Sequence, residues 1–370
     1  MTARPFQIEI PQSALDDLRE RLRRTRWPSE IAGSGWTYGT NKAYLQELCA
    51  YWADEFDWRA QERALNRHAH FVRDVDGFRL HYVHAKGRGP NPLPLVLTHG
   101  WPSTFYDFDK VIEPLADPGA YGGDPADAFD VVIPSMPGYA FSERPAEPGY
   151  GPGRIAELWD RLMSDLGYAR YGAHGGDWGV LVTGLLGWKY PRRLVGIHRL
   201  IGGIPRVEPQ AGESDEERQI RLAEGSGYGH IQSTRPQTLA YGLTDSPAGL
   251  AGWIVEKWHA WSDCGGDIES RFTKDELLTT VSLYWLTETI HSSSRLYYEN
   301  AHDRANRLDG RIEVPSGYAA CRWLTQTREE LAKGCDLVQL TEFERGGHFA
   351  AFEEPQLLLD DLRRFFRPLR

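Results

Sequence analysis

Apolar positions along the chain change their period several times, and each change marks an element. Phe6, Ile8 and Ile10 alternate with other residues, which predicts a short strand over Phe6–Pro11. Ser13 then stands where a helix cap would, with Asp16 three residues on. Leu15, Leu18 and Leu22 share one helical face until Pro28 stops the helix. Residues 40–66 read as further helix, with Tyr44, Leu48, Tyr51 and Trp52 at helical spacing. Strand-like runs follow at His70–Arg73, Phe78–Ala85, Leu95–Thr98, Asp130–Pro134, Tyr171–His174 and Val195–Ile201. Helix-like stretches such as Gly153–Leu166 and Val180–Tyr190 separate the later ones. Strands alternating with helices predict a mostly parallel α/β sheet. The alternation breaks near residue 205, and Glu208–Asn300 reads as helices and loops. Strand pattern resumes at Arg311–Val314 and Asp336–Phe343, and a helix over Pro355–Phe366 closes the chain. The expected organisation is an N-terminal segment (1–66), a first part of a sheet domain (67–205), a helical insertion (206–305) and the second part of the sheet domain (306–370).

Composition narrows the partners. The chain has 370 residues, enough for a large core, and a net charge of −10. Its one dense basic run, Arg19–Arg26, lies on the first amphipathic helix and reads as a solvated face, so no nucleic-acid partner is expected. The N-terminus carries no apolar leader, and no apolar run approaches the ~20 residues that span a bilayer. A soluble protein without a membrane anchor is the expectation. Cys49, Cys264, Cys321 and Cys335 form no C-x-x-C pair, which signals neither a zinc site nor a disulfide framework and suits the cytoplasm. No metal or cofactor is expected. Of the 13 Trp and 17 Tyr, many fall between Tyr228 and Tyr298, where they could wall a pocket.

Three short motifs carry candidate chemistry. Gly175-Gly176-Asp177-Trp178-Gly179 lies between a predicted strand and a predicted helix. It has the G-x-D-x-G layout of a nucleophile elbow, with Asp where Ser is usual. A tight strand-to-helix turn strains the backbone, hence the glycines, and presents its central side chain at a helix N-terminus that favours an anion. A plain glycine-rich loop with an Asp helix cap is the blander alternative. An ionised Asp is a useful nucleophile toward saturated carbon bearing a leaving group, such as an epoxide oxygen or a halide. His99-Gly100-Trp101-Pro102 follows another strand, where such folds place an oxyanion loop. The backbone N–H groups of Trp101 and Trp178 are the candidate donors, and the His99 ring is expected to be structural. Arg345-Gly346-Gly347-His348 sits between the last strand and the last helix, so His348 follows the nucleophile in chain order, as a catalytic base of this fold would.

These motifs together with Arg4–Pro28, Pro134-Ser135-Met136-Pro137-Gly138-Tyr139 and Gly227-Tyr228-Gly229-His230-Ile231-Gln232 make the sequence resemble the microsomal-type epoxide hydrolases. The resemblance runs nearly end to end. It implies an α/β-hydrolase fold with a helical cap and an N-terminal wrapping segment. It also implies that two cap tyrosines donate to the epoxide oxygen: Tyr228 by its motif, and Tyr297 in Ser294-Arg295-Leu296-Tyr297-Tyr298, with Tyr298 as the adjacent alternative. One feature departs from the family. A glutamate that orients the histidine is expected after Val314-Pro315-Ser316-Gly317-Tyr318, but the stretch reads Ala319-Ala320-Cys321-Arg322-Trp323-Leu324-Thr325. Glu329, Glu330 or Glu208 is a candidate replacement; otherwise the acid is absent and ester hydrolysis is slowed. The expected substrate is a small-molecule epoxide, bulky and apolar or aromatic. The rival readings are a haloalkane-type dehalogenase and an impaired family member that binds an apolar metabolite. A homo-oligomer is compatible with the sequence, which does not define the assembly.

Overall fold

The computed structural model describes residues 3–202, 214–324 and 326–370. Its frame is a nine-stranded sheet: β1 (Arg4–Phe6), β2 (His70–Val75), β3 (Phe78–Ala85), β4 (Leu93–Thr98), β5 (Phe129–Pro134), β6 (Tyr171–Gly176), β7 (Leu194–Ile201), β8 (Ile312–Ala320) and β9 (Cys335–Glu342). The spatial order is β1-β2-β3-β5-β4-β6-β7-β8-β9. Pairing is antiparallel from β1 to β5 and parallel from β5 to β9. The parallel strands β4, β5 and β6 are nearly all buried, as a sheet covered on both faces requires.

The helices are α1 (Gln12–Arg23), α2 (Lys42–Asp54), α3 (Trp58–Leu65), α4 (Asp109–Ala116), α5 (Pro152–Asp165), α6 (Trp178–Lys189), α7 (Asp215–Thr234), α8 (Pro236–Asp245), α9 (Pro247–Trp261), α10 (Lys274–Leu286), α11 (Ile290–His302), α12 (Arg328–Gly334), α13 (Ala350–Glu353) and α14 (Pro355–Phe366). Helices α7–α11 all fall between β7 and β8, so they form a layer interrupting the sheet. The N-terminal helices clasp this layer: Trp52 Nε1 donates to Ser282 Oγ (3.0 Å), and Thr40 Oγ1 to the Gly252 carbonyl (2.6 Å). Among the described residues no helix is long and apolar enough to cross a membrane.

Several elements differ from the sequence expectation for identifiable reasons. The first strand is Arg4–Phe6, not Phe6–Pro11. Ile8 and Ile10 are buried, but their N–H groups bond to the side chains of Asn66 (2.9 Å) and Glu62 (2.7 Å) rather than to a neighbouring strand. Helix α1 starts directly after Pro11, which leaves Ser13 inside it rather than capping it. The helix expected over 40–66 is two, because Asp57 caps a new start by accepting from Ala60 N. Strand β8 continues past Pro315, where its pairing with β9 shifts register instead of ending.

The turn from β6 to α6 fixes everything that follows. Asp177 occupies it at φ 51°, ψ −122°, a strained conformation for a non-glycine residue. Gly175 and Gly179 allow it: a Cβ on Gly175 would run into the Gly179 backbone, and one on Gly179 into the Thr98 carbonyl of β4. Gly179→Ala is therefore expected to cost roughly 1–3 kcal/mol or more by forcing α6 away from β4. An unchanged denaturation midpoint would show that the turn has slack.

Candidate active site

Asp177 points from the N-terminus of α6 into a cavity of about 600 Å³. Its Oδ1 accepts the Trp101 N–H at 2.8 Å. That approach needs Gly100, because a Cβ there would overlap the Asp177 carboxylate. The Trp178 amide makes no capping hydrogen bond to this carboxylate. His99 holds the turn: its Nδ1 meets the Gly100 carbonyl (3.0 Å) and its Nε2 accepts from Met136 N (3.2 Å). Burial keeps its imidazole neutral, pulled down to about 4.

His348 Nε2 lies 3.4 Å from Asp177 Oδ2. Burial works against the imidazolium, but the hydrogen bond and charge of Asp177, with the charges of Asp107 and Glu353, leave its pKa raised. Tyr228 from α7 and Tyr297 from α11 line the same cavity, their rings 5.8 Å apart. Tyr228 stacks on Trp101 (5.3 Å) and Tyr297 meets Trp178 edge-on (4.7 Å). Burial, with the Asp177 charge adding to it, pushes both phenols up, so they remain protonated donors. Tyr298 is partly exposed and stacks on His302, away from the cavity.

The structure thus brings Asp177, His348, Tyr228, Tyr297 and the Trp101 amide together. It does not bring in Glu329 or Glu330. Both are exposed on the first turn of α12, where the Glu330 carboxylate accepts from Thr327 N (2.8 Å). Glu208 lies outside the described residues. Where the missing glutamate would stand, Trp323 enters the cavity wall, at φ 69°.

Two carboxylates at the site escaped the sequence reading. Glu353, buried at the end of α13, accepts from Gly347 N (2.9 Å), Phe349 N (3.0 Å) and Asp263 N (2.7 Å). It therefore folds the loop carrying His348 around itself and ties it to the residues after α9. His348 N adds a bond to the Trp261 carbonyl (2.8 Å). Asp107 sits in the 3-10 turn Phe105–Phe108 after the Trp101 loop. Its only sequence signal was a lone acid inside the aromatic run Phe105-Tyr106-Asp107-Phe108.

A mostly parallel sheet with a strained acidic elbow after β6 and a histidine after the last strand defines an α/β-hydrolase. Comparison with known proteins agrees: residues 94–200 match the alpha/beta hydrolase fold and residues 3–108 the epoxide hydrolase N terminus. The chain is 43% identical to a Stigmatella aurantiaca protein provisionally named an epoxide hydrolase, over 99% of this chain and 85% of that one. It is 35% identical to epoxide hydrolase 1 of Sus scrofa, over 98% and 88%. The crystal structure of juvenile hormone epoxide hydrolase from the silkworm Bombyx mori superposes with a TM-score of 0.88 at 30% identity, covering 100% of this chain and 94% of that one. The Aspergillus niger epoxide hydrolase superposes with a TM-score of 0.86 at 29% identity, covering 100% and 97%. The chain belongs to the epoxide hydrolase family.

Glu353→Ala leaves its backbone donors buried without an acceptor. It is expected to cost roughly 2–4 kcal/mol and to depress diol formation as His348 loses its station. A variant with wild-type melting temperature and turnover would show that the loop holds itself.

Proposed function

We propose that this protein adds water to a bulky apolar or aromatic epoxide through an ester on Asp177. The observation that carries the reading is one carboxylate with divided tasks. Oδ1 already lies under the Trp101 N–H, while Oδ2 faces His348 and the cavity that the two phenols share. Oδ2 attacks an epoxide carbon, the carbon–oxygen bond breaks, and the epoxide oxygen takes a proton from Tyr228 or Tyr297. Oδ1 becomes the ester carbonyl oxygen. His348 then takes a proton from water, whose oxygen bonds to Asp177 Cγ while charge gathers on Oδ1 beneath the Trp101 N–H. Collapse breaks the Cγ–Oδ2 bond. The departing alkoxide takes the proton from His348, and the proton of the new carboxylic acid returns to the tyrosinate. The diol therefore leaves with the original Oδ2.

Electrostatics times the two steps. In the free enzyme the Asp177 charge favours protonated His348. Ester formation removes that charge, the imidazole pKa falls, and His348 is freed to act as a base. Trp178, Leu181, Leu200, Ile201 and Trp323 give the cavity its apolar wall, which supports the substrate class. The four-part organisation at 1–66, 67–205, 206–305 and 306–370 accords with the placement of α7–α11 between β7 and β8. Four free, buried cysteines support a reducing, cytoplasmic setting. A dehalogenase reading draws on one observation, a buried Trp178 Nε1 that has no partner and could meet a halide. Halide release from haloalkanes would favour it over the epoxide.

Two measurements test the main reading. A single turnover in oxygen-18 water should give unlabelled diol and labelled Asp177, and Asp177→Ala should be inert yet folded; label in the first-turnover diol would end the covalent scheme. Tyr228→Phe and Tyr297→Phe should each slow ester formation by about 10- to 100-fold and together nearly stop it. Full activity of the double variant would mean the donors lie elsewhere.

A further inference from the structure

Once Asp177 is esterified, the protonated His348 needed during hydrolysis has lost its nearest counter-charge. The other carboxylates acting on it are Glu353 and Asp107. Glu353 is committed to three backbone N–H groups. Asp107 is different: it is deeply buried and its Oδ1 has no hydrogen-bond partner. An unpaired buried carboxylate oxygen is costly and calls for a function or a ligand.

That oxygen has a place to act. Beside the main cavity lies a small one, about 10 Å³ in volume, lined by Ser103, Asp107, His174, Asp177 and His348 among others. This is about the size that admits a single water. A second orphaned polar atom belongs to the same cavity wall, His174 Nε2. Its polarity follows from the chain of rings behind it. Asp361 Oδ2 accepts from His198 Nε2 (2.9 Å), and with His198 as the neutral ring its Nδ1 accepts from His174 Nδ1 (2.9 Å). Burial keeps His174 neutral. His174 Nε2 is therefore a hydrogen-bond acceptor, as is a carboxylate oxygen of Asp107. One water can donate to both and still offer its lone pairs to a donor from His348.

We propose that Asp107 is the positioning carboxylate of this enzyme, steadying protonated His348 during ester hydrolysis across a single-water cavity shared with His174. The role replaces the glutamate that the stretch Cys321–Leu324 lacks, and it rests on the Asp177 ester of the proposed function. Burial pushes the Asp107 carboxyl up to about 7, the His348 charge pulls it back, and the Asp177 and Glu353 charges add to the rise. Forming the ester removes the Asp177 part of that rise. The charge that favours ionised Asp107 is then the one His348 gains when it takes the proton from water.

The test separates the two half-reactions by rapid quench and intact-protein mass. Asp107→Asn should form the ester within about threefold of the wild-type rate but hydrolyse it about 10- to 100-fold more slowly, so that the adduct accumulates. The acidic limb of the hydrolysis step should move to lower pH, because the imidazolium has lost a facing negative charge, leaving only Glu353. Asp107→Glu, which keeps the charge, should restore part of the rate and return the limb towards its wild-type position. A purely structural role would move neither limb nor half-reaction selectively. If Asp107→Asn does not fold, Asp107→Ser provides the same readout. An ester that Asp107→Asn hydrolyses at the wild-type rate with an unmoved limb overturns the proposal. So does a hydrolysis-specific defect found in Glu208→Gln and absent from Asp107→Asn. Absence of any ester in wild type and in His348→Gln would instead remove the covalent reading on which the proposal stands.

Discussion

The close approach of two backbone segments to one carboxylate governs the rest of the structure. Asp177 must sit at a positive φ so that its side chain clears β6 and reaches the cavity, and the Trp101 amide must come within 2.8 Å of it. Neither is possible with side chains at Gly100, Gly175 or Gly179. The strain at Asp177 is supported by the parallel pairing of β4, β6 and β7, whose buried strands leave the turn no room to relax. The site is thus a property of the sheet, and the helical layer supplies what the sheet cannot: two phenols above Asp177.

Around this carboxylate the chain concentrates negative charge on one imidazole. Asp177, Asp107 and Glu353 all act on His348, and each is held by different means. Asp177 is held by an amide and the start of a helix, Glu353 by a ring of amides, and Asp107 by burial with one oxygen unpaired. A base facing several acids would be permanently protonated if all kept their charge. On the proposed ester route, chemistry at Asp177 relieves this, so the same residue would serve as nucleophile and as switch for its own base.

Legibility in the sequence followed locality. The elbow, the oxyanion turn and the histidine loop were readable because a tight turn leaves glycines at fixed offsets. The strands β4, β5 and β7 were readable because both-face burial gives largely continuous apolar runs. The fate of Ile8 and Ile10 was not, since their partners are the side chains of Asn66 and Glu62, remote in sequence. Nor was Asp107, whose surroundings come from β6, the His348 loop and α14 only after folding. The expectation for the orienting acid looked along the chain near β8, to Glu329 and Glu330, whereas the structure spends Glu330 on its own helix cap.

The Glu353 knot has one more implication. Its carboxylate bridges the His348 loop to Asp263, Arg322 bonds the other side of Asp263 (2.6 Å), and Gly347 packs against the Trp261 carbonyl so tightly that no side chain fits. The end of α9 and the His348 loop are therefore tied into one piece. A jaw-like swing of this end of the cap would carry the imidazole off with it and halt the reaction. A chamber whose mouth opened at this joint would lose its histidine each time a molecule passed.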